Sequence, residues 1–187
     1  MSAKTICVRH FEHAVSQGWI KHFTDAAKQT GVPAALLMAI ASRETEMGTS
    51  PLLKNWRGDR GHGRGLMQID DRWHQAYTST HRDDDHRSNI FYAANLVRQL
   101  QKNRITMGNL RLVAASYNCG PGGVRKAIEA GKDPDVYTTG GNYGCDVLAR
   151  MKHFEDLLAT MPKEEPRVLR LSKAPVLPPK PVKKKGK

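Results

Sequence analysis

A mainly α-helical, single-domain fold is predicted by three observations. Apolar residues recur with helical spacing in several separate segments. Aromatic residues make up only 6% of the 187-residue chain, and its periodic segments are rich in alanine and leucine. One stretch, residues 49–85, carries Gly, Asp and Arg without any long periodicity. A chain of this length can bury a sufficient core without disulfides or a structural metal.

The elements follow in order. Trp19, Ile20, Phe23, Ala26 and Ala27 have helical spacing over residues 18–29, and Gly31 is a natural stop. Pro33 suits the first turn of a second helix, in which Leu36, Leu37, Ile40 and Ala41 form an apolar stripe and Gly48 marks the end. Residues 49–85 are expected to be loops, with a short strand or turn around residues 66–69. A third helix is predicted over residues 88–103, and a fourth in "NLRLVAASYN", broken by "GPGGV" ahead of "VRKAIEA". The last covers residues 146–159. Residues 1–161 thus form the domain.

Residues 162–187 have a different character. They hold six of the ten prolines and no aromatic, and carry nine Lys/Arg against Glu164 and Glu165. An extended, mobile tail is expected. The chain's net charge of +12 is mostly a property of this tail, which is either a plain solubilising segment or an electrostatic anchor on an anionic surface. Cys7, Cys119 and Cys145 are too few and too scattered for a disulfide framework or a metal-ligand pattern. They are expected to be buried or idle thiols. No apolar run approaches the ~20 residues of a membrane span, and polar residues interrupt any signal-peptide core near the N-terminus.

Candidate chemistry starts with Glu44. Near a helix C-terminus the dipole disfavours a carboxylate, and partial burial acts in the same direction. Both raise the pKa, as a general acid near neutral pH requires; the alternative is an ordinary surface glutamate like Glu46. Asp59 and Asp70 flank "RGHGRGLMQI", whose glycines allow tight bends or close approach to a ligand. A phosphate loop is disfavoured because Gly-Lys-Ser/Thr is missing. A dinucleotide fingerprint lacks its preceding strand, and arginines replace the oxygen ligands of a calcium loop. The "HRDDDH" cluster reads better as negative charge ahead of a helix than as metal ligands. No cofactor is expected. Tyr117, Asn118 and Tyr143 offer a stacking ring, a hydroxyl and an amide, or equally turn and core residues.

In combination these stretches are far more specific. "ASRETEMG", "GDRGHGRGLMQID", "ASYNCGPGGV" and "TTGGNYGCDVLAR", in this order, resemble goose-type lysozymes. That glycoside hydrolase family also contains bacterial lytic transglycosylases. The resemblance spans about residues 23–154. It implies a lysozyme-like helical fold with a short irregular or β segment in the cleft loop. It also implies a bacteriolytic enzyme cutting the β-1,4 bond between N-acetylmuramic acid and N-acetylglucosamine of peptidoglycan. By motif, Glu44 matches the general acid, and Asp70 and Asp59 match aspartates that position water. Tyr117, Asn118 and Tyr143 match cleft residues, Gln68 lines the groove and His86 matches a histidine near the substrate. Trp56, Trp73 and Tyr77 are either sugar-stacking surfaces or core.

The resemblance implies an inverting scheme, with carboxyl groups about 6.5–9.5 Å apart to admit water. A lytic transglycosylase forming 1,6-anhydro products is the alternative, followed by a catalytically dead wall-binding protein. The implied partner is peptidoglycan, with the anionic bacterial surface reached through the tail. No specific nucleic acid and no membrane span are expected, and the chain is expected to be a monomer. It would act on the bacterial wall after secretion, release by lysis or delivery by other machinery. Cys119 and Cys145 stand where the family usually has small residues.

Overall fold

The computed structural model describes residues 2–162. The domain is built from seven α-helices and one small sheet among the described residues. All but the first residue of the expected extended, mobile tail, residues 163–187, lie outside this range.

The first helix, α1 (Ala3–Ser16), is capped by Ser2, whose hydroxyl accepts from the Thr5 N–H. It was not anticipated. Its apolar face is short, made of Cys7, Phe11 and Ala14, and polar residues dilute the pattern. The second, α2 (Trp19–Thr30), lies between Gly18 and Gly31, both left-handed at φ +70° and +75°, a conformation that suits glycine.

The third, α3 (Ala34–Thr45), is more than a stripe. Every residue from Ala35 to Ser42 is buried, as befits a central helix surrounded by others. It packs against α2, against α5 (His86–Gln101) and most extensively against α7 (Tyr143–Ala159). Its end differs from the expectation at Gly48. The turn begins at Glu46 and Met47, with φ +52° and +55°, before Gly48. Thr45 supports it: the hydroxyl accepts from the Gly48 N–H at 3.0 Å and contacts Leu66 O at 2.9 Å.

That second contact ties the end of α3 to the glycine-rich segment. Strands β1 (Arg57–Gly58), β2 (Gly63–Arg64) and β3 (Ile69–Asp70) form an antiparallel sheet in that order. Gly63 pairs with Gly58 on one side and Asp70 on the other. The predicted strand or turn at residues 66–69 is therefore the connection into β3, with Leu66 and Met67 fully buried. Asn89 of α5 pins it, accepting from Met67 N at 2.7 Å and donating to Arg64 O at 3.1 Å.

A single turn, α4 (Gln75–Thr78), precedes α5, which is capped by Asp85 through the Ser88 N–H at 3.0 Å. Asp83 holds Arg57 and Arg64, and Asp84 holds Arg82. The acidic cluster is thus distributed between a helix cap and ion pairs. Helix α6 (Leu110–Glu129) bends at Gly120, φ +73° and ψ 158°, just before Pro121, where "GPGGV" predicts a break. Cys7 is buried, Cys119 is half-buried, Cys145 is exposed, and all three are free thiols. No described helix is long and apolar enough to cross a membrane.

Candidate active site

Glu44 sits in the last turn of α3, partly buried. Tyr143, the first residue of α7 and almost fully buried, donates its phenolic hydrogen bond to Glu44 Oε1. Tyr117, near the middle of α6, donates to Met67 O at 2.8 Å. The Glu44 charge reaches both phenols, whose pKa values burial already pushes well above the ordinary range. Glu44, Tyr117 and Tyr143 therefore form one cluster where three helices and the sheet loop converge.

Burial drives the Glu44 pKa up to about 7, against the opposing pull of the Tyr143 hydrogen bond and the Arg43 charge. Desolvation dominates. The result is a carboxyl group that exchanges its proton near neutrality.

Tyr143 owes its place to Asp135. The Asp135 side chain, fully buried, accepts from Gly144 N at 2.5 Å and Cys145 N at 3.1 Å. These are first-turn donors of α7, which lack partners within the helix. Arg111 neutralises the same carboxylate at 3.1 Å. Arg43 lies over the Tyr143 ring at 5.7 Å and reaches Asp146 at 3.1 Å. Asn118 fixes the approach to α7, accepting from Thr139 N at 2.8 Å.

Beside this cluster runs a groove of roughly 720 Å³, bordered by Gln68, Asp70, Arg72, Trp73, Tyr117 and Asn118. Gln68 has φ +49° and donates to Gly65 O at 2.7 Å. Its amide oxygen lies where side chains at Gly58 and Gly63 would stand, 2.2 and 2.3 Å from their would-be Cβ atoms. Those glycines make room for Gln68. Asp59 begins a 3-10 turn over Asp59–Gly61 at φ +42°. Asp59 and Asp70 are brought together by Arg72, whose Nη2 lies 2.7 Å from the first and 2.6 Å from the second. The Arg72 side-chain hydrogen bonds hold the Asp70 carboxyl below the usual carboxylate range.

A family model described as Lysozyme g matches residues 14–157. The chain belongs to the lysozyme g family. It is 33% identical over 124 residues to a lysozyme g of Gallus gallus, covering 65% of this chain and 56% of that protein. It is 32% identical over 127 residues to a lysozyme g of Struthio camelus, covering 66% and 59%. The match to a lysozyme G of Dromaius novaehollandiae has the same identity and coverage. The chain thus spans less than two thirds of these relatives' length. The mainly helical fold with its small sheet is the one expected of a lysozyme g.

Of the residues singled out by the lysozyme g motifs, the structure groups Glu44 with Tyr117 and Tyr143, and Asp59 with Asp70, while Gln68, Asp70, Tyr117 and Asn118 line one groove. His86 is not with them. It packs between Trp19 and Trp56, ring centroids 4.7 and 4.2 Å away, and burial lowers its pKa. Its position is set by helix packing, which the loose motif there does not encode. Trp73 is 81% exposed on the groove wall, whereas Tyr77 is buried and stacked on Tyr92 at 4.0 Å. Arg72, Arg43 and Asp135 were missed by the motif reading. Only Arg72 carries a local signal, a cation two residues after Asp70.

Proposed function

We propose that the chain is a muramidase acting on bacterial peptidoglycan, cutting the β-1,4 bond between N-acetylmuramic acid and N-acetylglucosamine with inversion. What carries this reading is the opposed state of two carboxyls. Glu44 is held protonated up to about pH 7 by burial, while Asp70 is held ionised by Arg72. Acid and base assignments follow from environments that push two pKa values apart. In the proposed reaction Glu44 transfers its proton to the departing glycosidic oxygen as the C–O bond breaks. Water oriented by Asp70 and Asp59 attacks the opposite face of the oxocarbenium-like centre, and its proton passes to the carboxylate side. Gln68, Tyr117 and Asn118 border the groove in which the sugar would lie, with Trp73 as a stacking face.

In this reading the enzyme acts as a monomer at the bacterial wall. The basic residues 162–187 would add long-range attraction to that anionic surface, an attraction that salt screens. Mass spectrometry of products from purified peptidoglycan is the test, with Glu44→Gln as control. Reducing muropeptides from the wild type, and roughly a hundredfold fewer or less from the variant, are expected. Anhydro-muramic ends would establish a transglycosylase, and equal release by both proteins would remove Glu44 from the reaction.

A further inference from the structure

Strand β3 ends at Asp70, and the chain turns at once. The Arg72 N–H donates to Asp70 Oδ1 at 2.9 Å, which folds the arginine back over the carboxylate that precedes it. Arg72 Nε then donates to Asp70 Oδ1 at 2.9 Å and to Oδ2 at 3.1 Å. Nη2 donates to the same Oδ2 at 2.6 Å and to Asp59 Oδ2 at 2.7 Å. One guanidinium nitrogen therefore serves two carboxylates, and the two oxygens can be no farther apart than those two bonds laid end to end.

Such an approach is unfavourable without the cation between them, because like charges at short range raise one another's pKa. Asp59 has a further reason to need a partner. It stands at φ +42° and the following Arg60 at φ +56°, in a region that L side chains enter at a cost. A hydrogen-bonded ion pair is one contact that holds this turn against β3. Asp71 takes no part: its carboxylate faces the other way, toward His62 Nδ1 at 2.8 Å and Arg64 Nε at 2.9 Å. The adjacent acids 70 and 71 are thereby separated, and the distant acids 59 and 70 are joined.

We propose that Arg72 is the positioning residue of the water-handling side, holding Asp59 and Asp70 together as one carboxylate pair on the groove wall. The assignment rests on the hydrolase reading above. A planar fork with several fixed donors suits this task, because it sets both the distance and the orientation of its partners. It also defines the chemistry. The pair first orients water and offsets positive charge at the anomeric carbon, and the water's proton passes to it late, once the new C–O bond has formed. Arg72 and Asp71 act on the charge of Asp70 in opposite directions, and Asp70 in turn acts on His74; Asp59 faces Arg72.

The test is steady-state hydrolysis of soluble peptidoglycan fragments by the full chain, as a function of pH, for the wild type, Arg72→Ala, Arg72→Lys and Glu44→Gln. In Arg72→Ala, kcat is expected to fall roughly tenfold to a hundredfold with KM changed far less, as misplacement of a reacting group implies. The acid limb of its pH profile is expected to move to higher pH as Asp70 loses its cation, while the alkaline limb stays. Arg72→Lys, which keeps charge without the fork, restores the acid limb but only part of kcat. If Arg72→Ala keeps wild-type kcat, or loses activity only in proportion to a lowered melting temperature with an unmoved acid limb, the proposal is overturned. Should that variant fail to fold, carboxyl carbon NMR chemical shifts of Arg72→Lys against the wild type at neutral pH decide: Asp59 and Asp70 resonances that do not move when the fork is lost overturn it. A wild type without activity would instead overturn the hydrolase reading, and Glu44→Gln in the same assay keeps the two failures apart.

Discussion

Tyr143 and Glu44 are joined by a hydrogen bond from phenol to carboxylate, linking the first residue of α7 to the last turn of α3. The bond favours the ionised acid, so it moderates the rise that burial imposes. Tyr143→Phe is therefore expected to push the Glu44 pKa above about 7. The alkaline limb of the pH–rate profile would move to higher pH, and kcat would fall several-fold as the carboxyl loses its fixed orientation. An alkaline limb that moves down, or stays, would show that the bond does not set this pKa.

Glu44→Gln is expected to lower kcat by roughly 10²–10⁴, the usual contribution of a positioned general acid. Its stability effect has the opposite sign. A carboxyl with a raised folded-state pKa contributes stability below its unfolded value of about 4.5 that is lost as pH rises through about 7. At pH 8 the glutamine variant should thus be at least as stable as the wild type, by denaturant unfolding. A clear loss of stability at pH 8 would mean that the ionised carboxylate is itself held favourably.

His10 predicts a separate acid sensitivity. It is buried in α1, its Nδ1 lies 2.7 Å from Ser42 Oγ, and its Nε2 has no partner. Burial, aided by Arg150, lowers its pKa to about 4. A histidine neutral in the folded state contributes stability above its ordinary value near 6.5 that is lost as pH falls through about 4. Wild-type stability should therefore decline between pH 6.5 and 4. In His10→Gln that slope should flatten, measured by urea unfolding at several pH values; an identical slope would place the sensitivity elsewhere.

Gly65→Ala tests the backbone of the cleft loop. Gly65 has φ +72°, and an added Cβ would meet the Asn89 side chain at 2.5–2.8 Å. Asn89 cannot give way without releasing Met67 N and Arg64 O. Combined strain and lost hydrogen bonds should cost about 2–4 kcal/mol, read as a lowered denaturant midpoint. Gly63→Ala would press mainly on the Gln68 amide, with Oε1 at 2.3 Å and Cδ at 3.0 Å against Cβ at 3.4 Å; that flexible group can shift, so the change should cost less stability while displacing Gln68 from the groove wall.

Asp135→Asn addresses the scaffold behind Tyr143. It removes the charge that balances Arg111 while leaving a side chain of similar size in a fully buried site. Because Arg111 is 31% exposed, the cost falls below that of a fully buried pair and comes mainly from the weakened hydrogen bonds to Gly144 N and Cys145 N, about 2–3 kcal/mol. Calorimetry should show a large fall in melting temperature, and a stable variant would imply that Arg111 finds sufficient compensation in Asp133, already 2.5 Å away.

The chain's local pattern alone determined where most helices run, because spacing of apolar residues and glycine stops act within a few turns. It placed α2, α3, α5 and the bend of α6 close to their positions, and its ordered motifs nominated Glu44, Asp59, Asp70, Tyr117, Asn118 and Tyr143. It did not reveal α1, whose thin apolar face becomes meaningful only against α7 and α2. Nor did it decide which candidates meet. Only the tertiary structure put Tyr143 on Glu44, used Arg72 to join Asp59 to Asp70 while Asp71 turned away, and sent His86 between two tryptophans. Contacts across tens of residues depend on how whole helices pack, and charges find their partners only after that packing is set.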